Sequence, residues 1–293
     1  MTRTLAIAIA LLCCSVAIGC GGSSGGGTTT TAMSTVSWNL TGLEPLQNGF
    51  EYEGWIIVDG QPVSTGRFNV DMAGMPSSTS TMVPADEASR ATAFVLTIEP
   101  AMDADPGPAA TKILGGDFNG GQAPLTVGHM AALGDDFTGA TGSFIIATPS
   151  TAVNTDETQG IWWVNPGNGQ ASLMLPTLPA GWVYEGWVVS GGGPVSTGVF
   201  TDPATADSDL AGPTGGTDSN GPPFPGQDFI TPPMDLIGLT AVISIEPSPD
   251  DSPAPFTLKP LVASPITNML APTLQPMSNN AAATNPTGTA TIN

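Results

Sequence analysis

The sequence has 293 residues, and its 25 acidic side chains outnumber five basic ones, giving a formal net charge of −20. A chain this acidic lacks the basic surface that binds nucleic acid, and 40% hydrophobic residues exclude an acidic disordered tail. Its 37 glycines and 29 prolines disfavour long helices and favour short strands joined by turns.

The chain begins with a predicted export signal over residues 1–19. Arg3 precedes an apolar run that ends at Gly19, which suits a signal peptide and is short for a membrane span. Residues 17–20, Ala-Ile-Gly-Cys, resemble a bacterial lipobox, so we expect cleavage before Cys20 and attachment of lipid to that cysteine. The alternative is an ordinary secretory signal that happens to contain a cysteine.

Residues 20–32 form a predicted tether after the lipidated cysteine. Residues 21–31 are all Gly, Ser or Thr, the composition of a flexible linker that holds a domain away from a membrane. Cleavage would also remove Cys13 and Cys14, so the exported protein has no disulfide. The expected location is therefore the cell envelope, outside the cytoplasm, at the outer membrane or cell surface, with membrane lipid as a partner through Cys20.

The rest of the chain repeats itself once. Three segments recur, the first two 132 positions later and the third 147 positions later: Tyr52–Trp55 as Tyr184–Trp187, Pro62–Gly66 as Pro194–Gly198, and Ile98–Pro100 as Ile245–Pro247. A looser match pairs Gly142–Ile146 with Gly288–Ile292. The duplication predicts two domains, residues 33–154 and 155–293, the second with an acidic insertion between Phe200 and Ala241.

Each copy contains short predicted strands rich in aromatic and β-branched residues. They cover 50–58, 63–68, 93–98 and 143–147 in the first copy, and 182–189, 195–200, 240–245 and 289–292 in the second. A helical turn or two is predicted at 126–133. Short strands without alternating helices predict an all-β protein of two tandem antiparallel β-sandwich domains.

The repeated motifs also carry a family resemblance. Tyr184–Val189, the Gly-x-Pro-Val-Ser-Thr-Gly-x-Phe segment at 192–200, and Val242–Asp250 together resemble the extracytoplasmic C-terminal domain of anti-sigma-K factors. With the first-copy equivalents, the resemblance spans most of the chain after the tether. Family members connect this domain, through one membrane span, to a cytoplasmic segment that holds a sigma factor. This sequence has neither, so we do not expect it to sequester a sigma factor by itself.

Candidate catalytic residues are few. His129 is the only histidine, and without a second histidine or a free cysteine the usual zinc sites cannot form. No Gly-x-Ser-x-Gly elbow accompanies it, so we interpret His129 as a solvated loop residue. Glu53 with Glu99, and Glu185 with Glu246, are the acid pairs that a glycosidase would need, but their recurrence in both copies favours a shared structural role. We therefore predict that the protein is not an enzyme.

Two of the few basic residues also occupy equivalent positions. Lys112 and Lys259 each lie 13 residues after the glutamate of a Glu-Pro pair. An unpaired, half-buried carboxylate is costly, so we predict ion pairs between Glu99 and Lys112 and between Glu246 and Lys259, or between each lysine and another nearby acid.

The acidic insertion suggests a cation site. Asp207, Asp209 and Asp218 fall at positions one, three and twelve of a calcium-binding loop, with glycine at position six. However, Ala211 stands at position five, where an oxygen ligand belongs, and no flanking helices are predicted. A calcium site and acids without a ligand both stay open at this point.

Four tryptophans, at 162, 163, 182 and 187, cluster at the start of the second copy. Aromatic residues beside acids are typical of a sugar-binding platform, but core packing is the favoured interpretation. We expect a lipid-anchored binding, sensing or structural module of the envelope, whose partner is an envelope protein or glycan and not nucleic acid. The alternative is a calcium-dependent carbohydrate-binding or adhesion module.

Overall fold

The computed structural model describes residues 31–102 and 104–293. The predicted signal peptide, Cys20 and most of the tether lie outside the described residues. Ala32–Asn293 form one compact unit. Within the described part of the chain, no helix is both long enough and apolar enough to cross a membrane.

The regular elements are mostly short strands. The first part of the chain contains β1 Met33–Thr41, β2 Phe50–Val58, β3 Gln61–Phe68, β4 Ser80–Pro84, α1 Ala85–Arg90, β5 Ala91–Pro100, β6 Lys112–Asp117, β7 Gln122–Thr126 and β8 Thr141–Ile146. One turn of 3₁₀ helix follows at Glu157–Gln159, and the remaining elements are β9 Gly160–Trp162, β10 Val164–Asn165, β11 Gln170–Ala171, β12 Leu173–Met174, β13 Trp182–Ser190, β14 Gly193–Phe200, β15 Gly226–Asp228, β16 Thr240–Pro247, β17 Leu261–Ala263, β18 Gln275–Asn279, α2 Ala281–Thr284 and β19 Thr287–Ile292. Residues 126–133 form the end of β7 and turns, so the predicted helical turn there is wrong.

The strands form two large sheets with antiparallel pairing. The first sheet has the order β3-β2-β5-β6-β7-β19-β1-β4, and the main path of the second is β14-β13-β16-β17-β18-β8-β9-β15. The two outermost strands of each sheet, β3 with β4 and β14 with β15, also contact each other, so each sheet nearly closes on itself. The prediction of an all-β protein with two tandem antiparallel, sandwich-like domains is confirmed.

The two sheets match strand for strand, with one exchange. Strands β2, β3, β5 and β6 of the first copy correspond to β13, β14, β16 and β17 of the second. The last strand of the first copy, β8, lies in the second sheet, whereas the last strand of the second copy, β19, lies between β7 and β1 in the first sheet. The two sheets therefore do not follow the predicted boundary between residues 154 and 155, because each sheet is completed by a strand from the other copy.

One main hydrophobic core contains residues of both copies. Tyr52 stacks on Phe68 with ring centroids 5.8 Å apart, and the equivalent Tyr184 and Phe200 stack at 5.7 Å. Every second residue of β2 and β13 faces this core. The glycine of each Tyr-Glu-Gly-Trp motif also faces it, and a Cβ at Gly186 would lie 2.6 Å from the Trp163 ring, so no larger residue fits.

The tryptophans are core residues. Trp55 and Trp187 are buried, and Trp163 belongs to the main core. Its neighbour Trp162 is also fully buried, although it faces the other way, because the acidic insertion folds over it and forms a second small core with Ala211 and Phe224. None of the four clustered tryptophans of the second copy is exposed as a sugar-binding platform.

Candidate functional site

The most distinctive polar feature is a pair of buried glutamates that occurs once in each copy. Glu53 on β2 lies opposite Thr97 on β5, two residues before Glu99, and Glu185 on β13 lies opposite Ser244 on β16, two residues before Glu246. By strand alternation, all four glutamates are on the face turned away from the main core. They are nevertheless buried: Glu99 and Glu246 have no exposed surface, and Glu53 and Glu185 are each 5% exposed.

Hydroxyl and amide groups hold the inner glutamate of each pair. In the first copy, Trp55 Nε1 donates to Thr97 Oγ1 (2.9 Å), and Thr97 Oγ1 donates to Glu99 Oε1 (2.5 Å). The Ala109 amide donates to the same carboxylate oxygen at 2.7 Å.

The second copy repeats this chain of contacts. Trp187 Nε1 donates to Ser244 Oγ at 2.7 Å, Ser244 donates to Glu246 Oε1, and the Phe256 amide donates to that oxygen at 2.9 Å. The Tyr-Glu-Gly-Trp and Ile-Glu-Pro motifs therefore recur because they build the same buried network.

The outer glutamates differ in one partner. Each accepts a hydrogen bond from a serine, Ser64 to Glu53 and Ser196 to Glu185. In the first copy, Arg67 lies directly opposite Glu53, and its Nε donates to Glu53 Oε2 at 2.7 Å. The same guanidinium also donates to the Pro100 carbonyl at 2.7 Å.

The second copy has Val199 at the position of Arg67, directly opposite Glu185. As a result, Glu185 Oε2 is buried without a hydrogen-bond partner, whereas Glu53 Oε2 is paired with Arg67. The inner glutamates do not differ in this respect, because Glu99 Oε2 and Glu246 Oε2 are both buried without a partner. The second copy therefore contains two buried carboxyl groups and has no equivalent of Arg67, which forms an ion pair with Glu53 in the first copy.

Burial raises the pKa of the inner glutamate in both copies, Glu99 and Glu246, and in the second copy it also raises that of the outer glutamate, Glu185. Burial raises the pKa of Glu185 to about 7, against the opposing effect of the Ser196 hydrogen bond, and Asp250 and Asp209 raise it further. Burial also raises the pKa of Glu246 to about 8, opposed by the Ser244 and Phe256 hydrogen bonds. Because a protonated carboxyl avoids the cost of a buried, unpaired charge, the neutral acid is the favoured form of Glu246 at neutral pH.

The predicted lysine pairs are not direct contacts. The ion pairs between side chains in residues 31–102 and 104–293 join Arg67 to Glu53, Arg90 to Asp59 and Asp86, and His129 to Asp117. None involves Lys112 or Lys259. The carboxylates of Glu99 and Glu246 use hydroxyl and amide donors instead.

Lys259 nevertheless lies within the electrostatic reach of two acids. Its Nζ donates to the Phe256 carbonyl at 2.6 Å. Burial lowers the pKa of Lys259, while the charges of Glu44 and Glu246 raise it. The lysine therefore ties down the loop that also supplies an amide to Glu246.

The predicted calcium ligands do not converge. Asp207 is buried, and its Oδ2 accepts a hydrogen bond from the Gly226 amide at 2.8 Å. Asp209 lies beside it, and Asp218 is exposed further along the loop. Burial raises the pKa of both Asp207 and Asp209, and the charge of Asp209 raises that of Asp207 further. Across the described residues, no group of three or more His, Cys, Asp or Glu side chains is arranged to hold a metal ion. The calcium-loop spacing is thus not matched by the geometry.

Asp228 is one of the acids of the insertion, and its sequence position alone predicted no role for it. It lies on β15 at the end of the acidic insertion and is fully buried. Its Oδ2 accepts from the Ser150 amide (2.8 Å) and hydroxyl (2.5 Å), and its Oδ1 accepts from Trp162 Nε1 (2.8 Å). Asp228 therefore fastens the insertion to the segment between β8 and β9. The apolar residues Phe229 and Ile230 that follow it were the available signal that this acid is not a loop residue.

An open cavity of about 590 Å³ lies beside the second copy. It is lined by the loop after β7, the β12 segment and the loop after β14, and its polar side chains are Asp135, Asp136 and Asp202. Met174, which is 73% exposed, supplies an apolar contact. The combination suits a basic group with an apolar neighbour. His129 is not part of the lining: it is partly buried against Gly115, with Nε2 3.3 Å from Asp117 Oδ1, and so is less solvated than predicted.

Comparisons with known proteins found no matching family model, no matching curated protein and no matching solved structure. The resemblance to the outer domain of anti-sigma-K factors therefore rests on the repeated motifs alone.

Proposed function

We propose that this protein is a lipid-anchored module of the bacterial cell envelope that binds or senses another envelope component. The observation that carries the proposal is the order of elements at the N-terminus. A lipobox-like Ala-Ile-Gly-Cys segment ends at Cys20, a Gly/Ser/Thr segment follows, and the compact β unit begins at Ala32. Residues 21–31 would span at most about 40 Å when extended, so the unit would stay close to the membrane.

The carboxyl pairs support a role without catalysis. General acid–base chemistry requires a group within hydrogen-bond reach of a substrate. Glu99 and Glu246 have no exposed surface and are held by neighbouring hydroxyl and amide groups, which is the arrangement of a structural network. The module would resemble the outer domain of an anti-sigma-K factor.

The acidic cavity supports a protein partner with basic residues. Asp135, Asp136 and Asp202 supply negative charge, and Met174 supplies apolar surface. A glycan partner is less well supported, because the clustered tryptophans of the second copy are buried. The geometry gives no comparable support to the calcium-dependent alternative.

The anchor is tested by cell fractionation of three forms of the full chain. Wild type is expected in the membrane fraction, and Cys20→Ser is expected to lose membrane association. The double variant Cys13→Ser/Cys14→Ser is a matched control, because both residues precede the cleavage site and should be dispensable. Equal membrane association of wild type and Cys20→Ser would contradict the proposed anchor.

The cavity is tested by crosslinking the protein to its neighbours in cells. Asp135→Lys/Asp202→Lys should abolish a crosslinked partner that wild type retains, while Asp86→Lys/Glu87→Lys, which changes two acidic residues in the first turn of α1, should retain it. Loss of the partner in both double variants would indicate net charge rather than this cavity.

A further inference from the structure

The exchanged strands β8 and β19 define a binding slot in each sheet. In the first sheet, β19 lies between β7 and β1, and in the second sheet β8 lies between β18 and β9. The neighbours are equivalent in the two sheets, because β7 corresponds to β18 and β1 to β9 by their positions in the strand order. Each copy therefore supplies a strand to the other copy and receives an equivalent strand in return.

Main-chain pairing holds β19 in its slot. Residues 287–292 pair with 36–41 of β1 on one side, and residues 287–291 pair with 122–126 of β7 on the other. The pairing continues past the strand, since the Asn293 amide donates to the Thr35 carbonyl at 2.9 Å and the Thr35 amide donates to the Asn293 carbonyl at 3.1 Å.

The side chains of β19 fit the slot because they are small, and they bury little apolar surface. Ala290 is fully buried, whereas Thr287 and Thr289 are exposed. At Gly288 a Cβ would lie 2.6 Å from the Asn39 carbonyl oxygen and 2.7 Å from Leu40 Cδ2, so the slot accepts only glycine there. Backbone hydrogen bonds would give affinity, and the small residues at 288 and 290 would give specificity, as in recognition by strand addition.

The connection to β19 is short and leaves the second sheet directly. Strand β18 ends at Asn279, α2 spans Ala281–Thr284, and β19 begins at Thr287. A change in the conformation of this connector alone would allow β19 to pair with the β7–β1 slot of a different chain. The same strand on a second chain meets every requirement of the slot, because its sequence is identical.

We propose that the slot between β7 and β1 is a strand-acceptor site that takes β19 from a second copy of the chain. Two chains then form a dimer in which each C-terminal strand completes the partner's first sheet. Within one chain, each copy already gives its last strand to the other copy's sheet. In the dimer, the two chains would exchange a strand in the same way. It goes beyond the proposed function and does not depend on the lipid anchor.

Exchange within one chain competes with exchange between chains. A strand tethered by a short connector has an effective concentration on the order of millimolar, so isolated chains at micromolar concentration should be monomeric. Refolding at concentrations near millimolar, or crowding on a membrane, should populate the exchanged dimer.

The test uses the full mature chain with Cys20→Ser, so that an engineered cysteine is the only thiol. Asn39 and Thr289 are directly paired and both exposed. Chains carrying Asn39→Cys are mixed with chains carrying Thr289→Cys, unfolded, refolded together near millimolar concentration and oxidised. We expect a disulfide-linked heterodimer in at least fivefold excess over a control mixture of Asn39→Cys with Asn220→Cys, a residue exposed on the acidic insertion.

The double variant Asn39→Cys/Thr289→Cys provides the second arm. At micromolar concentration it should form an intrachain disulfide, which shows that β19 occupies the slot in the stated register. Equal heterodimer yields in the two mixtures would overturn the proposal. So would failure of the double variant to form its intrachain disulfide, because the slot would then not hold β19 as described.

Discussion

Val199→Arg tests whether the missing arginine determines the protonation of the second carboxyl pair. The substitution places an arginine directly opposite Glu185, in the position that Arg67 occupies opposite Glu53. A guanidinium beside Glu185 should lower the pKa of that carboxyl from about 7 towards its ordinary value. The first copy serves as the structural template for the new contact.

The magnitude follows from the pKa difference between the folded and unfolded protein. A pKa raised from 4.5 to about 7 means that the stabilisation from Glu185 is fully present below pH 4.5 and is lost as the pH rises through 7. The loss is about 3 kcal/mol at 1.36 kcal/mol per pH unit. Because the loss has already begun at pH 5, Val199→Arg should retain up to about 2.5 kcal/mol more of its unfolding free energy than wild type when the pH is raised from 5 to 8. Glu246 continues to titrate in both proteins.

Urea unfolding at pH 5, 6, 7 and 8 measures this difference through tryptophan fluorescence. The converse substitution, Arg67→Val, is the matched control and should make the first copy lose more stability at pH 8 than at pH 5. If wild type and Val199→Arg lose the same unfolding free energy between pH 5 and pH 8, the reasoning about Glu185 is refuted.

Three further predictions concern packing and the acidic insertion. Asp228→Ala should lower the unfolding free energy by about 3 kcal/mol, because it leaves buried donors of Ser150 and Trp162 unpaired. The control Asp218→Ala should change the unfolding free energy by less than about 0.5 kcal/mol. Equal effects of the two substitutions in urea unfolding would contradict the role of Asp228. Gly186→Ala should cost about 2 kcal/mol or more by collision with Trp163, whereas Gly191→Ala, which meets no atom within 4 Å, should be nearly neutral by the same assay. EDTA should leave the melting temperature unchanged in calorimetry, since Asp207, Asp209 and Asp218 do not converge; a fall of several degrees would restore the calcium hypothesis.

The strands of each repeat were predictable because their signals are local. Alternating aromatic and β-branched residues located Phe50–Val58 with its observed bounds. The exchange of β8 and β19 was not predictable, since the looser match of Gly142–Ile146 with Gly288–Ile292 shows equivalence but not which sheet each strand joins. That choice depends on long-range pairing and connector geometry, which leave no local pattern.

Part of the candidate site could also be predicted from local sequence signals. The recurrence of Glu99 and Glu246 predicted a role shared by both copies, and sequence spacing assigned Lys112 and Lys259 as their partners. The observed partners, Thr97 and Ser244, lie two residues away on the same strand and donate through a hydroxyl group in both copies. The significant difference, Arg67 against Val199, becomes visible only when the register places each residue opposite its glutamate.

The most direct test of the proposed function is mass spectrometry of the N-terminal peptide from protein extracted from membranes. We predict a mature chain that begins at Cys20 and carries lipid on that residue. A chain that begins at Met1, or one that is cleaved at another position and carries no lipid, would contradict it.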